Sequence, residues 1–272
     1  MKSPRRWWKR RKELALVEPI RKEVQEELSR ALGKPCKLIS ASAKGGYDEI
    51  FYAESADGRE AVVRVNSPYK TQDDPVGVKD PGVPLPAAAR IDREWAAYTA
   101  LGEAGLSPKP LWRNDRAMAC SWVPWGRLSR LLTRERDQFW PMMKLTMPLI
   151  ARMHQSGVIH LDLNLGNLLV SPEKSQVMVI DFEFGEVDGV TIGQQKAFDY
   201  LRFIDDGLKK RRGGDVLKSA PEKLVGLLDP CLDNETRNAE LSFVFEKLTR
   251  LANEPELCAR LLEVFPKLGS PA

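Results

Sequence analysis

Four polar residues stand at fixed spacing in the middle of the chain, and they limit its fold more than any other feature. His160, Asp162 and Asn167 form the pattern H-x-D-x-x-x-x-N, with apolar residues between them. A short predicted hairpin then leads to Asp181-Phe182 at the end of an apolar strand. Any one of these residues could simply cap a turn. Three carboxylate or amide side chains at this spacing between apolar runs instead indicate one built site.

The residue types in this pattern suit the transfer of a phosphoryl group. That reaction needs an acceptor hydroxyl held in line and metal ions that neutralise charge on the phosphates. Asp162 can accept the hydroxyl proton, so it is our candidate catalytic residue. Asn167 and Asp181 offer the hard oxygen atoms that Mg²⁺ prefers, and we predict that they are metal ligands.

The chain before this pattern is rich in predicted strands. Residues 66–89 contain five prolines, so we expect no regular element there. We predict strands at 37–42, 47–54, 61–65, 111–113 and 117–122, with one helix at 90–103.

The rest of the chain is mainly helical in pattern. We predict helices at 138–156, 194–210, 221–229 and 236–265. These segments indicate an α+β fold of two lobes, a small antiparallel-sheet N-lobe with one helix and a mainly helical C-lobe, with a cleft between them. We predict the boundaries as 1–33 for a basic arm with an amphipathic helix, 34–122 for the N-lobe and 123–272 for the C-lobe.

Two further segments carry a family resemblance. The D-R-E-W segment at 92–95 and the M-H-x-x-G-x-x-H-x-D run at 153–162 resemble the lipopolysaccharide core kinases, which phosphorylate heptose or Kdo and belong to the protein-kinase-like superfamily. The resemblance spans about residues 36–205. It implies a two-lobed protein-kinase-like fold and phosphorylation of a sugar or glycolipid hydroxyl that depends on ATP and Mg²⁺. It also implies a structural role for His160 in supporting the loop.

The predicted nucleotide site departs from the kinase pattern. Kinases carry a lysine on the third strand, paired with a helix glutamate. This chain has Arg64 there, and Glu94 is its predicted partner; a surface position for Arg64 is the alternative. A loop with Lys44, Gly45 and Gly46 is the candidate cover for the phosphates, although a plain hairpin turn explains it as well.

Arg64 and the sparse glycines keep two other functions open. One is a pseudokinase that acts as a regulatory or binding module. The other is a protein kinase, but only 91 residues follow Asp181, a short segment in which to hold a peptide. We therefore favour a small or lipid-linked acceptor over a peptide.

The charge of the chain is uneven. The first twelve residues hold seven basic side chains and no acidic one, whereas the whole chain carries +4 and residues 13–272 carry −3. Trp7 and Trp8 lie in this basic arm. A solvated terminus and contact with an anionic membrane both explain it, and nucleic acid is the least favoured partner.

We predict a cytoplasmic protein, and a peripheral location on the inner face of the membrane is one of the two interpretations of the basic arm. No stretch approaches about 18 consecutive apolar residues, which a membrane span requires. The four cysteines are far apart, which predicts free thiols.

Overall fold

The computed structural model describes residues 4–41, 48–67 and 82–269, with side chains from residue 15 onward. The strands are β1 (Lys37–Ser40), β2 (Asp48–Ser55), β3 (Gly58–Asn66), β4 (Gly82–Pro84), β5 (Pro110–Arg113), β6 (Ala117–Ser121), β7 (Gly126–Arg127), β8 (Leu168–Val170), β9 (Val177–Val179) and β10 (Phe184–Glu186). The α-helices are α1 (Pro4–Leu32), α2 (Ala87–Gly102), α3 (Leu128–Arg134), α4 (Phe139–Gln155), α5 (Ile192–Gly207), α6 (Gly214–Lys218), α7 (Pro221–Leu228), α8 (Asn234–Arg237), α9 (Thr249–Ala252) and α10 (Pro255–Leu261).

These elements divide into two compact units. Unit 1 contains the described residues within Met1–Pro75, Leu85–Gly102 and Pro108–Val123. Unit 2 contains those within Val76–Pro84, Glu103–Ser107 and Pro124–Ala272.

Unit 1 is built on an antiparallel sheet of five strands in the order β1-β2-β3-β6-β5. The alternating pattern of β3 buries Ala61, Val63 and Val65 on one face. Val24 and Leu28 of α1 share one helix face and pack into the same core. α1 begins at Pro4, nine residues before the predicted start at residue 13, and is followed by Gly33 at a φ of 67°.

Unit 2 is mainly helical, with two small antiparallel sheets. One joins β7, β8 and β9, and the other pairs β4 with β10. α4 buries Met142, Ile150 and Met153, and α5 is buried along most of its length. One unit is a sheet with α2 and the other is mainly helical, which confirms the predicted α+β fold class.

Two predicted elements were wrong. Residues 236–265 form no single helix, since α8, α9 and α10 are separate and Pro255 at the start of α10 has no N–H to continue a preceding helix. Within the proline-rich 66–89 segment, Gly82–Pro84 forms β4 and α2 begins at Ala87. A proline is accommodated in β4 because that strand pairs on one side only.

Within the described ranges, no helix is both long and apolar enough to cross a bilayer. All four cysteines are free, as predicted.

Candidate active site

The carboxylate of Asp162 is oriented by two donors in unit 2. Nη2 of Arg202, on α5, lies 3.1 Å from Oδ1 of Asp162. Nδ2 of Asn164 lies 3.3 Å from Oδ2. Each carboxylate oxygen therefore meets a different side chain, and the two contacts together restrict rotation of the carboxylate.

The main chain of the same loop fixes the side chain of Asn167. The carbonyl oxygen of Asp162 accepts hydrogen bonds from Nδ2 of Asn164 at 2.9 Å and from Nδ2 of Asn167 at 3.1 Å. Because the amide nitrogen of Asn167 is a donor here, Oδ1 is the atom that this side chain can offer to a cation. The predicted metal ligand is thus held against the predicted catalytic residue.

The ionisation of Asp162 reflects several competing influences. Burial is the largest and raises the pKa of Asp162, whereas the charge and the hydrogen bond of Arg202 lower it. The negative charge of Asp181 raises the pKa further, and the net result lies above the ordinary value. The two carboxylates are therefore close enough to interact, which fits a site that takes a cation.

Asp181 has an uncommon backbone conformation. Its φ is 78°, in the left-handed region that residues other than glycine seldom adopt. The adjacent Phe182 is fully buried, and its ring centroid lies 4.9 Å from that of His160. Strain of this kind occurs where surrounding packing enforces it, commonly at functional sites.

We call residues 160–167, which carry Asp162 and Asn167, the catalytic loop. His160 connects this loop to the segment that contains Asp181. Its Nε2 lies 3.0 Å from the carbonyl oxygen of Ile180, and its Nδ1 lies 3.3 Å from the main-chain nitrogen of Asp162. A neutral ring that donates from Nε2 and accepts at Nδ1 satisfies both contacts. This geometry agrees with the structural role that the family resemblance implies.

Asp199 braces the catalytic loop from α5. Its fully buried carboxylate accepts hydrogen bonds from the main-chain nitrogens of His160 at 2.8 Å and Leu161 at 2.7 Å. Nε2 of His154 lies 3.0 Å from the same carboxylate. These contacts give Asp199 a bracing role at the loop.

Asp206 braces the same loop at a second point, which sequence reasoning missed. Its carboxylate accepts a 3.0 Å hydrogen bond from the main-chain nitrogen of Leu165 and pairs with Lys209 and Arg212. The available signal was the seven-residue separation from Asp199, which places both aspartates on one face of a helix.

Unit 1 contains the predicted ion pair. Nε of Arg64, on β3, lies 2.7 Å from Oε2 of Glu94 on α2. The side chain of Arg64 is 12% exposed, so Arg64 is not the surface residue that the alternative interpretation required. The role of this pair in nucleotide binding stays a prediction.

A second arginine and a second carboxylate complete this cluster, and the sequence indicated neither. Nη2 of Arg90 lies 2.7 Å from Oδ1 of Asp48, whose Oδ2 lies 3.3 Å from Nη1 of Arg64. Arg90 stands four residues before Glu94 on α2, on the same helix face. We call Asp48, Arg64, Arg90 and Glu94 the charge cluster of unit 1.

Lys44, Gly45 and Gly46, the candidate cover for the phosphates, lie outside the described residues. In the part of the chain that is described, no three His, Cys, Asp or Glu side chains gather to hold a metal ion. Asn167 and Asp181 nevertheless fit Mg²⁺, since this ion is commonly bound by one or two protein oxygens together with substrate phosphates.

The fold class and the loop geometry together define a protein-kinase-like protein. Within that class, residues 82–204 match the model of the Lipopolysaccharide kinase (Kdo/WaaP) family. This part of the chain is similar to the Kdo/WaaP family, and the resemblance inferred from the sequence is confirmed.

Comparison with individual proteins gives weaker similarities. The Rio2 kinase-ADP/Mg²⁺-phosphoaspartate complex from Chaetomium thermophilum is 19% identical, with 72% of this chain and 71% of that chain covered and a TM-score of 0.45. The PknI kinase domain of Mycobacterium tuberculosis is 14% identical, with 65% and 74% covered and a TM-score of 0.44. No curated protein matches the chain.

Proposed function

We propose that this chain is a kinase that uses ATP and Mg²⁺ to phosphorylate a hydroxyl of a sugar or glycolipid, with a lipopolysaccharide core sugar as the acceptor. The Kdo/WaaP match over residues 82–204 supports the class of acceptor. The observation that carries the proposal is the orientation of the Asp162 carboxylate by Arg202 and Asn164.

The proposed roles in unit 2 follow from the chemistry of each group. Asp162 accepts the proton of the acceptor hydroxyl and orients its oxygen toward the phosphorus. Asn167 and Asp181 hold Mg²⁺, which when bound neutralises charge on the β- and γ-phosphates. Asp199 and Asp206 keep the loop in place through main-chain hydrogen bonds.

In unit 1, Arg64 and Glu94 are the proposed nucleotide-binding residues, with Lys44, Gly45 and Gly46 covering the phosphates. The 2.7 Å pair with Glu94 supports this assignment because kinases orient their phosphate-binding cation with a helix glutamate. Arginine brings a planar fork of donors that can bind phosphate in a bidentate manner.

A pseudokinase that serves as a regulatory or binding module is the second candidate. It is favoured by the contacts of Arg64, whose guanidinium lies near both Glu94 and Asp48. Two carboxylates around one arginine reduce the positive charge that it presents to a phosphate.

The basic arm supports a peripheral location at the cytoplasmic face of the membrane. Each basic residue near an anionic surface contributes about 1 kcal/mol, and tryptophan favours the membrane interface. Salt-sensitive binding of the full chain to phosphatidylglycerol vesicles, weakened by deletion of residues 1–12, is the expected result.

Two experiments test the proposal. Mg²⁺-ATP at about 100 times its Kd should stabilise the native chain by about 2.7 kcal/mol, seen as a raised thermal midpoint that Asp181→Ala abolishes. Transfer of labelled phosphate from ATP to a lipid A–core acceptor should then disappear in Asp162→Asn.

Asp188→Asn is the matched control for both measurements, because Asp188 is exposed. No magnesium-dependent rise at millimolar ATP would favour the pseudokinase. Transfer that survives in Asp162→Asn would remove Asp162 from the catalytic role.

A further inference from the structure

A groove in unit 2 has no part in the site described so far. Its volume is about 230 Å³, and it lies between α3 and the strands β7 and β8. Its polar lining is dominated by cations, and we call it the basic groove. Its charged lining residues are Arg127, Arg130, Arg134, Glu135 and Lys174.

The basic groove concentrates positive charge in a chain whose body is acidic. Four cations and one carboxylate give a local charge of +3, whereas residues 13–272 as a whole carry −3. The one carboxylate, Glu135, pairs with Lys174. A concave surface lined by one sign of charge raises the local concentration of ligands of the opposite sign.

Two arginines of the groove are available to a ligand. Arg130 and Arg134 stand four residues apart on α3, so they share one face of the helix, and both are exposed. Across the described ranges, neither forms an ion pair with a carboxylate. Two guanidinium groups side by side can together bind the oxygens of a phosphate.

The third arginine links the groove to the catalytic loop. Nη1 of Arg127 donates a 2.5 Å hydrogen bond to the carbonyl oxygen of Gly166, which lies between Asn164 and Asn167. The main-chain nitrogen of Ser129, on α3, also bonds the carbonyl oxygen of Leu165 at 2.8 Å. The groove therefore begins where the loop that carries Asp162 ends.

We propose that the basic groove binds a phosphate group on the acceptor, so that the preferred acceptor is a phosphorylated sugar. This inference rests on the proposed kinase function and narrows its substrate class. Pockets for drug-sized ligands occupy about 300–1,000 Å³. The groove, at about 230 Å³, is smaller and suits a phosphate with one attached ring. A neutral sugar has no charge to pair with the arginines.

The test observes the arginines of the groove directly. In the full chain with isotope-labelled arginine, the Nε–H signals of Arg130 and Arg134 are followed by NMR during titration with glucose 6-phosphate, inorganic phosphate or glucose. We expect saturable shifts with glucose 6-phosphate, weaker ones with inorganic phosphate and none with glucose. Arg130→Gln with Arg134→Gln removes both of these signals, so binding to this variant is followed on the Nε–H signal of Arg127, which also lines the groove. This double change should weaken glucose 6-phosphate binding at least tenfold.

The matched control removes two exposed cations of unit 2 outside the groove, Lys144→Gln with Lys267→Gln. If glucose 6-phosphate binding is weakened equally in this control, or if the NMR shifts do not saturate at all, the proposal that the groove binds a phosphate is overturned. Equal affinity for inorganic phosphate and glucose 6-phosphate makes it a general anion site and overturns the sugar assignment.

A failure of the kinase proposal is distinguishable from a failure of the groove. Asp162→Asn should keep the NMR response, because that residue does not line the groove. If phosphate transfer is absent with every acceptor while the groove arginines still respond, the kinase proposal and the acceptor assignment fail together and the anion site stands. If phosphate transfer occurs and its rate is unchanged in the groove variants, only the proposal that the groove binds the acceptor is wrong.

Discussion

The two units hold their buried carboxylates in different ways. In unit 1, Asp48 and Glu94 meet the guanidinium groups of Arg64 and Arg90. In unit 2, three buried aspartates of α5 accept hydrogen bonds from main-chain N–H groups of distant segments in addition to their side-chain partners. These three are Asp199, Asp205 and Asp206.

This difference between the two units shows which contacts fix the backbone of the candidate active site. A pair of side chains can move together, and replacing both members of a buried ion pair is often tolerated. A carboxylate that binds main-chain N–H groups fixes the backbone itself. Asp199 and Asp206 hold the catalytic loop, and Asp205 holds the start of α9 through the nitrogens of Arg250 and Leu251 at 3.0 Å each. α5 thereby sets the position of two segments, the catalytic loop and the start of α9.

The largest effect should come from Asp199→Ala. The change leaves two buried main-chain N–H groups and His154 without their acceptor, so we expect a loss of about 4 kcal/mol in the free energy of unfolding. Urea denaturation measures it. Asp188→Ala, at an exposed position, should change stability by less than about 0.5 kcal/mol, and a similarly small loss for Asp199→Ala would refute the bracing role.

Asp48→Ala should cost about 3 kcal/mol because Arg90, which is buried, and Arg64 each lose a carboxylate that they contact. Unlike the α5 aspartates, this loss should be partly recovered when Arg90→Met is added, with a coupling energy of about 1–3 kcal/mol in a double-mutant cycle. Additive single effects would mean that the cluster does not act as a unit.

Asp206 makes a prediction about pH. Burial raises its pKa, but the hydrogen bond with Lys209 and the charge of Arg212 outweigh this, and the pKa lies below the ordinary 3.8. A group whose folded pKa is depressed stabilises the protein above the unfolded pKa, and this stability disappears as pH falls through the folded value. Urea titrations between neutral pH and pH 2 should show a steeper acid loss for the wild type than for Asp206→Asn, which should be about 2 kcal/mol weaker at neutral pH.

The smallest effect on stability should come from Arg64→Lys. The ammonium can still pair with Glu94, so we expect a loss of about 1 kcal/mol or less. Thermal shift with Mg²⁺-ATP should persist in Arg64→Lys and fall in Arg64→Met. An unchanged shift in Arg64→Met would take Arg64 out of the nucleotide site.

Local patterns predicted much of the fold and the central loop. The alternation in β2 and β3, the stripe of α4 and the H-x-D-x-x-x-x-N spacing depend on near neighbours in the chain. Patterns failed after residue 236, where apolar residues recur at helical spacing but the chain turns between short helices. There Pro255 and the hydrogen bonds between Asp205 and the start of α9 outweigh periodicity.

The sequence by itself predicted which residues could accept a proton or ligate Mg²⁺, and it predicted the pairing of Arg64 with Glu94 that the structure contains. Only the tertiary structure decided how those residues are held. Arg202 reaches Asp162 across 40 positions, and Arg90 reaches Asp48 across 42. No local pattern encodes such contacts, because they form only when distant segments pack together and buried charges must find partners.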